Sequence, residues 1–316
     1  MNFITRAYNV VNINYNHQTI IKKSKSQRFF DEIRYYQSIP KSLNTFFPTV
    51  VSFNTESEEK MLEIEYYDYQ DLGKQMLSNT EEVFWNKTSA QILNVLHKMS
   101  DIKNNKLDKK YMQNMYISKT ETEYNNLILN KEFEKISNYD TLIIDGKERS
   151  NFKNIRTNIF NLVNKILIKD IESTMVHGDF CFGNILCSGK NNIIKLIDPR
   201  GSWGEIGIYG DARYDLAKLY HSYHGKYEYI VSDNFTINQD QNVFSTKFSN
   251  DNNTIIYDIF KNNVINHLYK DDLEIKLIEG LIYIGMCARH YDSLDRQKIM
   301  YITGVNILND VLENSK

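Results

Sequence analysis

Glycine is absent from the first 72 residues, and eight of the thirteen glycines then crowd into positions 177 to 225. Glycine supplies left-handed backbone and close approach to a neighbouring chain or ligand, so this is where the chain is most sharply bent. The residues on either side must be built mainly from regular elements. Only three prolines interrupt them, which leaves little room for disordered linkers. The chemistry is therefore to be sought between 177 and 225.

Periodicity gives the frame. From Arg6 to Ser24 two short strands flank the polar turn Asn14 to His17, with Val10, Val11, Ile13, Ile20 and Ile21 at the apolar positions of a hairpin. Phe29, Ile33 and Tyr36 recur at helical spacing, with Ser26 as a cap and Pro40 as a stop. Met61 to Tyr67 alternates as a half-exposed strand does, and the polar run Asp68 to Gly73 reads as a hinge. Long helical patterns follow, opened by Ser78 and Glu81 at capping-box spacing and continued by Phe84, Thr88, Ile92, Val95 and Met99. Residues 101 to 170 read as further helix broken by polar linkers, and 272 to 312 as two apolar-faced helices around Arg289 to Ser293. A chain of 316 residues exceeds what one core usually sustains, so two lobes with a cleft are expected, 1–72 and 73–316.

Composition narrows the partners. Thirty-eight basic against forty acidic residues, with no basic cluster, exclude nucleic acid as the main partner. The N-terminal residues lack the apolar run and small-residue site of a signal peptide. The apolar stretch from Gly280 to Ala288 is too short to cross a bilayer of roughly 30 Å. Cys181, Cys187 and Cys287 form no close pair, which suits a reducing compartment. The expectation is a cytoplasmic protein with no membrane insertion.

Within the glycine-rich segment, His177-Gly178-Asp179 is followed by Phe-Cys-Phe-Gly and Asn184. The apolar run Ile193 to Ile197 then ends at Asp198-Pro199-Arg200-Gly201. A buried strand that delivers one carboxylate to its exposed end, beside a loop with a second carboxylate and an amide oxygen, makes a hard-oxygen pocket of the kind magnesium takes. Asn184 and Asp198 suffice for an ion that completes its shell with water and nucleotide phosphates. Asp179 is left to accept a hydroxyl proton and orient that oxygen.

The ordered set H-G-D-x-x-x-x-N, I-D-P-R-G and G-D-A-R-Y-D-L-A-K resembles the aminoglycoside phosphotransferase and choline kinase family, relatives of protein kinases. The resemblance implies an α+β, protein-kinase-like bilobal fold, with a small antiparallel-sheet lobe carrying one helix and a larger, mainly helical lobe. It implies a phosphotransferase that moves a phosphoryl group from ATP or GTP, with Mg2+, onto a hydroxyl of a sugar, sugar phosphate, polyol or amino alcohol. Asp179 is similar to the catalytic aspartate, and Asn184 and Asp198 to the metal ligands. The extended I-D-P-R-G form is similar to members associated with bacterial surface polysaccharide synthesis.

Neighbouring side chains on a strand point oppositely, so only one of Lys22 and Lys23 can face the cleft. The resemblance selects Lys22 for the phosphates, with Glu32 as its partner. Adenine is expected at the strand end, Glu65 to Tyr67. With no glycine before Gly73 the opening hairpin is not a G-x-G-x-x-G loop, and phosphate contacts from it would come from Asn or Ser groups. For the acceptor, the candidates are Lys119, Glu205, Arg289, His290 and Asp292. Arg200 either faces phosphate or substrate or neutralises nearby carboxylates, and Trp203 either stacks on the acceptor or packs. Asp211 and Asp215 are expected to cap the following helix and anchor loops, and His177 to shape its own loop. Two rivals are a nucleotide-binding scaffold without turnover and a metal-dependent phosphoesterase. The second lacks the histidines of a binuclear site.

Overall fold

The computed structural model describes residues 9–189, 192–249, 253–268 and 272–315. Strands β1 (Asn9–Asn14), β2 (Thr19–Ser24), β3 (Val50–Asn54) and β4 (Lys60–Glu65) form an antiparallel sheet in the order β1-β2-β4-β3. Helix α1 (Gln27–Gln37) begins where the Ser26 hydroxyl accepts the Phe29 N–H, and its buried Phe29, Ile33 and Tyr36 contribute to the core. These elements form the hairpin, helix and strand that periodicity predicts. The part of the first strand read from Arg6 to Tyr8 lies outside the described residues.

Past the sheet the chain runs through Tyr66 to Tyr69, and Gln70 and Asp71 then pair with Cys187 and Leu186. Asp71 caps a helix at Leu72–Ser78, and Glu82–Ser100 follows as a long helix. The Ser78–Glu81 capping box does not form. Ser78 ends the shorter helix with its hydroxyl on the Lys74 carbonyl, and the Glu81 N–H is taken by Asn79 Oδ1 at 2.9 Å. The larger part is mainly helical, and its helices Leu273–Met286 and Leu294–Asn314 pack together. It also holds a four-stranded sheet joining Thr141–Ile144 and Lys147–Ser150 to Phe235–Asp240 and Val243–Phe248. This sheet corrects the reading of 101 to 170 as helix and linker. Its two hairpins are some ninety residues apart in sequence, and local pattern carries no sign of such a pairing.

This is an α+β, protein-kinase-like fold. No helix among the described residues is long and apolar enough to cross a membrane.

Candidate active site

Two loops meet between the sheet and the helices. Strands Ile185–Cys187 and Ile194–Leu196 pair antiparallel, and their ladder continues outward as the Ile197 N–H donates to the Asn184 carbonyl at 3.0 Å. Further on, the Arg200 N–H donates to the His177 carbonyl at 2.8 Å. The loop 177–184 is thus stitched to the loop 197–200 at both ends. Ile194, Lys195 and Leu196 are all buried, and Asp198 emerges half-exposed at the strand's end with φ of 57°. A left-handed non-glycine residue is uncommon and clusters at functional sites.

Gly178 and Gly201 are required where they stand. Gly178 has φ of 78°, and a Cβ there would lie 2.7 Å from Arg200 Cβ. At Gly201, φ is 67° and a Cβ would lie 2.1 Å from the Asp31 carbonyl oxygen, so helix α1 rests directly on the loop that carries Asp198.

Asp215 anchors the first loop from below. Its carboxylate accepts the His177 N–H at 2.6 Å and the Gly178 N–H at 2.8 Å. Burial raises the Asp215 carboxyl to about 7 against those two donors. Asp211 caps the helix Ala212–Tyr223 and is paired at 2.6 Å with buried Arg213. His177 is buried beside Phe47, and burial holds it down to about 4, so the imidazole is neutral. The Asp179 N–H donates to its Nδ1 at 3.3 Å.

The candidate catalytic groups fall around this seam. The Asn184 amide donates to the Asp179 carbonyl at 2.9 Å, and its side-chain oxygen accepts nothing among the described residues. That oxygen and the half-exposed Asp198 carboxylate make a hard-oxygen pair that fits a nucleotide-bound magnesium ion. Lys22 Nζ lies 2.9 Å from Glu32 Oε1 and also pairs with Asp198. Burial disfavours the Lys22 charge, but Asp198 and Glu32 outweigh it and raise the ammonium well above its ordinary value. Lys23, its neighbour on β2, is exposed.

Sequence reasoning gave no role to Lys218. Its ammonium lies 2.8 Å from Asp179 Oδ1, and Arg28 Nη2 stands 3.8 Å from Oδ2. Burial opposes ionisation of Asp179, yet Lys218 first and Arg28 next hold its carboxyl well below the usual range. The signal was available. Lys218 follows Asp215 by three positions on one helix, and that spacing puts both on the face turned to the loop.

At the hinge, Glu65 accepts the Thr49 N–H at 3.0 Å and the Tyr67 hydroxyl at 2.7 Å, so its carboxylate braces the backbone. The Tyr67 N–H has no hydrogen-bond partner among the described residues. The Tyr66 N–H donates to the Gln18 carbonyl at 2.8 Å, and Tyr15 meets the Tyr66 ring edge-on, which fixes the turn beside the hinge, three residues from Lys22 at its nearest strand position.

The acceptor candidates do not all converge. Trp203 is fully buried against Tyr116 and Tyr214, so it packs and offers no stacking face. Glu205 is exposed, and its carboxylate raises the Tyr111 phenol, while Asp292 is exposed on Arg296 at 2.9 Å. Arg289 is neutralised by Glu123 at 2.6 Å, and His290 lies edge-on to Tyr227. Lys119 reaches the Tyr214 hydroxyl at 3.5 Å, and the Arg200 stem packs on Gly178. Among the described residues no group of three or more His, Cys, Asp or Glu is arranged to hold a metal ion.

No family model matches the sequence, and no curated protein matches it. Among solved structures, the chain is similar to a thermostable mutant of aminoglycoside phosphotransferase APH(4)-Ia in ternary complex with AMP-PNP and hygromycin B. The TM-score is 0.59 at 9% identity, covering 100% of this chain and 94% of that one. It is also similar to a Plasmodium vivax ethanolamine kinase, with TM-score 0.53 at 15% identity over 98% and 81% of the two chains. At such identities the likeness shows the fold.

Proposed function

We propose that this chain is an ATP-dependent small-molecule kinase that transfers the γ-phosphoryl group to an alcohol. The observation that carries this reading is the stitched seam joining the loop of Asp179 and Asn184 to the loop of Asp198, with Lys22 paired to both Glu32 and Asp198. The AMP-PNP and hygromycin B held by one similar structure, and the naming of another as an ethanolamine kinase, support nucleotide use and a small-molecule acceptor. Association with surface polysaccharide rests on the sequence resemblance alone.

Lys22, steadied by Glu32, holds the nucleotide phosphates, and the free Tyr67 N–H reads adenine at the hinge. Asn184 and Asp198 would hold Mg2+, which neutralises charge on the β- and γ-phosphates. Asp179 accepts a hydrogen bond from the acceptor hydroxyl and aims it at the γ-phosphorus. The new O–P bond forms as the bond to the β–γ bridging oxygen breaks, ADP leaves with that electron pair, and the hydroxyl proton passes to Asp179. A carboxylate so firmly ionised by Lys218 is a weak proton acceptor, so orientation carries more of the effect than basicity.

The test is a nucleotide-consumption screen over sugars, sugar phosphates, polyols, choline and aminoglycosides, with mass spectrometry of the product. ADP formed together with a product one phosphoryl group heavier is expected. Failure to bind Mg-ATP, with no ATP consumed on any acceptor, would overturn the reading.

A further inference from the structure

The charges around Asp179 do not balance on its far side. Lys22 and Lys218 each have a carboxylate within 3 Å, and Arg289 has Glu123. Lys119 and Arg200 have none among the described residues. The half-buried Lys119 ammonium touches only the Tyr214 hydroxyl, at 3.5 Å, and lies 5.8 Å from the centre of that ring. Arg200 makes no side-chain hydrogen bond among the described residues, while its stem is fixed against Gly178, next to Asp179. Tyr214 is buried and immediately precedes Asp215, whose carboxylate accepts the N–H of Gly178, the residue on which Arg200 packs.

Cations are costly to hold away from water without an anion. Burial lowers Lys119 to about 8; Tyr214 works against that shift, and Arg200 and Arg289 add to it by repulsion. Burial raises Tyr214, but Lys119, Arg200 and Lys218 outweigh it and lower the phenol to about 8. Both groups therefore register the same local positive field. The nucleotide does not account for it, because neither Lys119 nor Tyr214 touches Lys22, Glu32 or Asp198 among the described residues.

We infer that Lys119, Arg200 and the Tyr214 hydroxyl form an oxyanion-binding subsite, and that the acceptor alcohol carries a phosphate or carboxylate group remote from its reacting hydroxyl. This rests on the kinase reading and narrows it. A cationic amino alcohol would meet two like charges, a mismatch that discriminates against it. A sugar phosphate, a polyol phosphate or a hydroxy acid would complete the site.

Two measurements test it. In the first, initial rates are compared for sugar phosphates, hydroxy acids, neutral sugars and amino alcohols. Anionic acceptors should be preferred, and Lys119→Met and Arg200→Met should each raise their KM about 10-fold or more. The KM for Mg-ATP should stay within about twofold, with Lys119→Arg restoring most of the acceptor affinity. Preferred turnover of neutral or cationic acceptors, unaffected by Lys119→Met, would overturn the subsite and leave the kinase reading intact. In the second, inorganic phosphate is titrated into the enzyme already saturated with Mg-AMP-PNP. Phosphate should bind to the native protein and bind about 10-fold more weakly to Lys119→Met. Equal binding to both, or binding to neither, would overturn the proposal even if the kinase turned over none of the acceptors tried.

Discussion

The two sides of Asp179 are built on opposite electrostatic plans. Towards the sheet, Lys22 is paired with Glu32 and Asp198, and from the helix Ala212–Tyr223 Lys218 neutralises Asp179 itself. Towards the helices, Lys119 and Arg200 stand without carboxylates among the described residues, held by an aromatic ring and a glycine contact. A site that pairs its own charges is stable before anything binds. One that leaves cations unpaired sacrifices stability for a ligand that brings the anion.

Lys218→Met should have the largest effect on stability. Removing one partner of a buried ion pair costs about 3–5 kcal/mol because the other charge is left uncompensated. The pH dependence should change with it. The depressed Asp179 carboxyl contributes stability that is present above its unfolded value of about 3.9 and lost as pH falls towards its folded value. In Lys218→Met that acid-side loss should shrink, as measured by denaturant unfolding between neutral and acid pH. An unchanged acid limb would mean that Lys218 does not set the Asp179 charge.

Lys22→Met should come next, costing about 1–3 kcal/mol by stranding the partly buried Glu32 carboxylate. The matched change at exposed Lys23 should stay within about 0.5 kcal/mol. Similar losses from the two would erase the distinction between the strand's faces.

The smallest effect should carry the opposite sign. Lys119→Met removes an unpaired cation and should stabilise the protein at pH 7, by up to about 1 kcal/mol. For a base whose folded value is lowered to about 8, the charged form penalises folding below that pH. The penalty fades as pH rises from about 8 to about 10.4, because the unfolded chain then binds more protons than the folded one. The advantage of Lys119→Met should fade over the same window. Destabilisation at pH 7 would break the contrast between the two sides.

What the sequence made legible was what lies close along the chain. Ser26 and the helical spacing of Phe29, Ile33 and Tyr36 define α1, and the alternation from Met61 defines β4. The seam was readable because a short strand pair joins its halves, so that Asp198 follows Asp179 by only nineteen positions. β3 went unread, since Val50–Asn54 is short and mostly exposed on the sheet edge. The second four-stranded sheet and the packing of Trp203 depend on partners far away in sequence. That Lys119 has no carboxylate partner among the described residues could not be read either, because a counter-charge is a property of three-dimensional neighbourhood alone.

The central claim is that Asp179 governs transfer while Asn184 and Asp198 govern the metal-bound nucleotide, and it separates cleanly in one paired measurement. Mg-ATP affinity and turnover are determined side by side for Asp179→Asn and Asp198→Asn. Asp179→Asn should keep the native affinity and lose about 10²- to 10⁴-fold in kcat, whereas Asp198→Asn should lose the magnesium-dependent part of nucleotide binding. Native turnover in Asp179→Asn, or ATP binding indifferent to both magnesium and Asp198, would contradict the account.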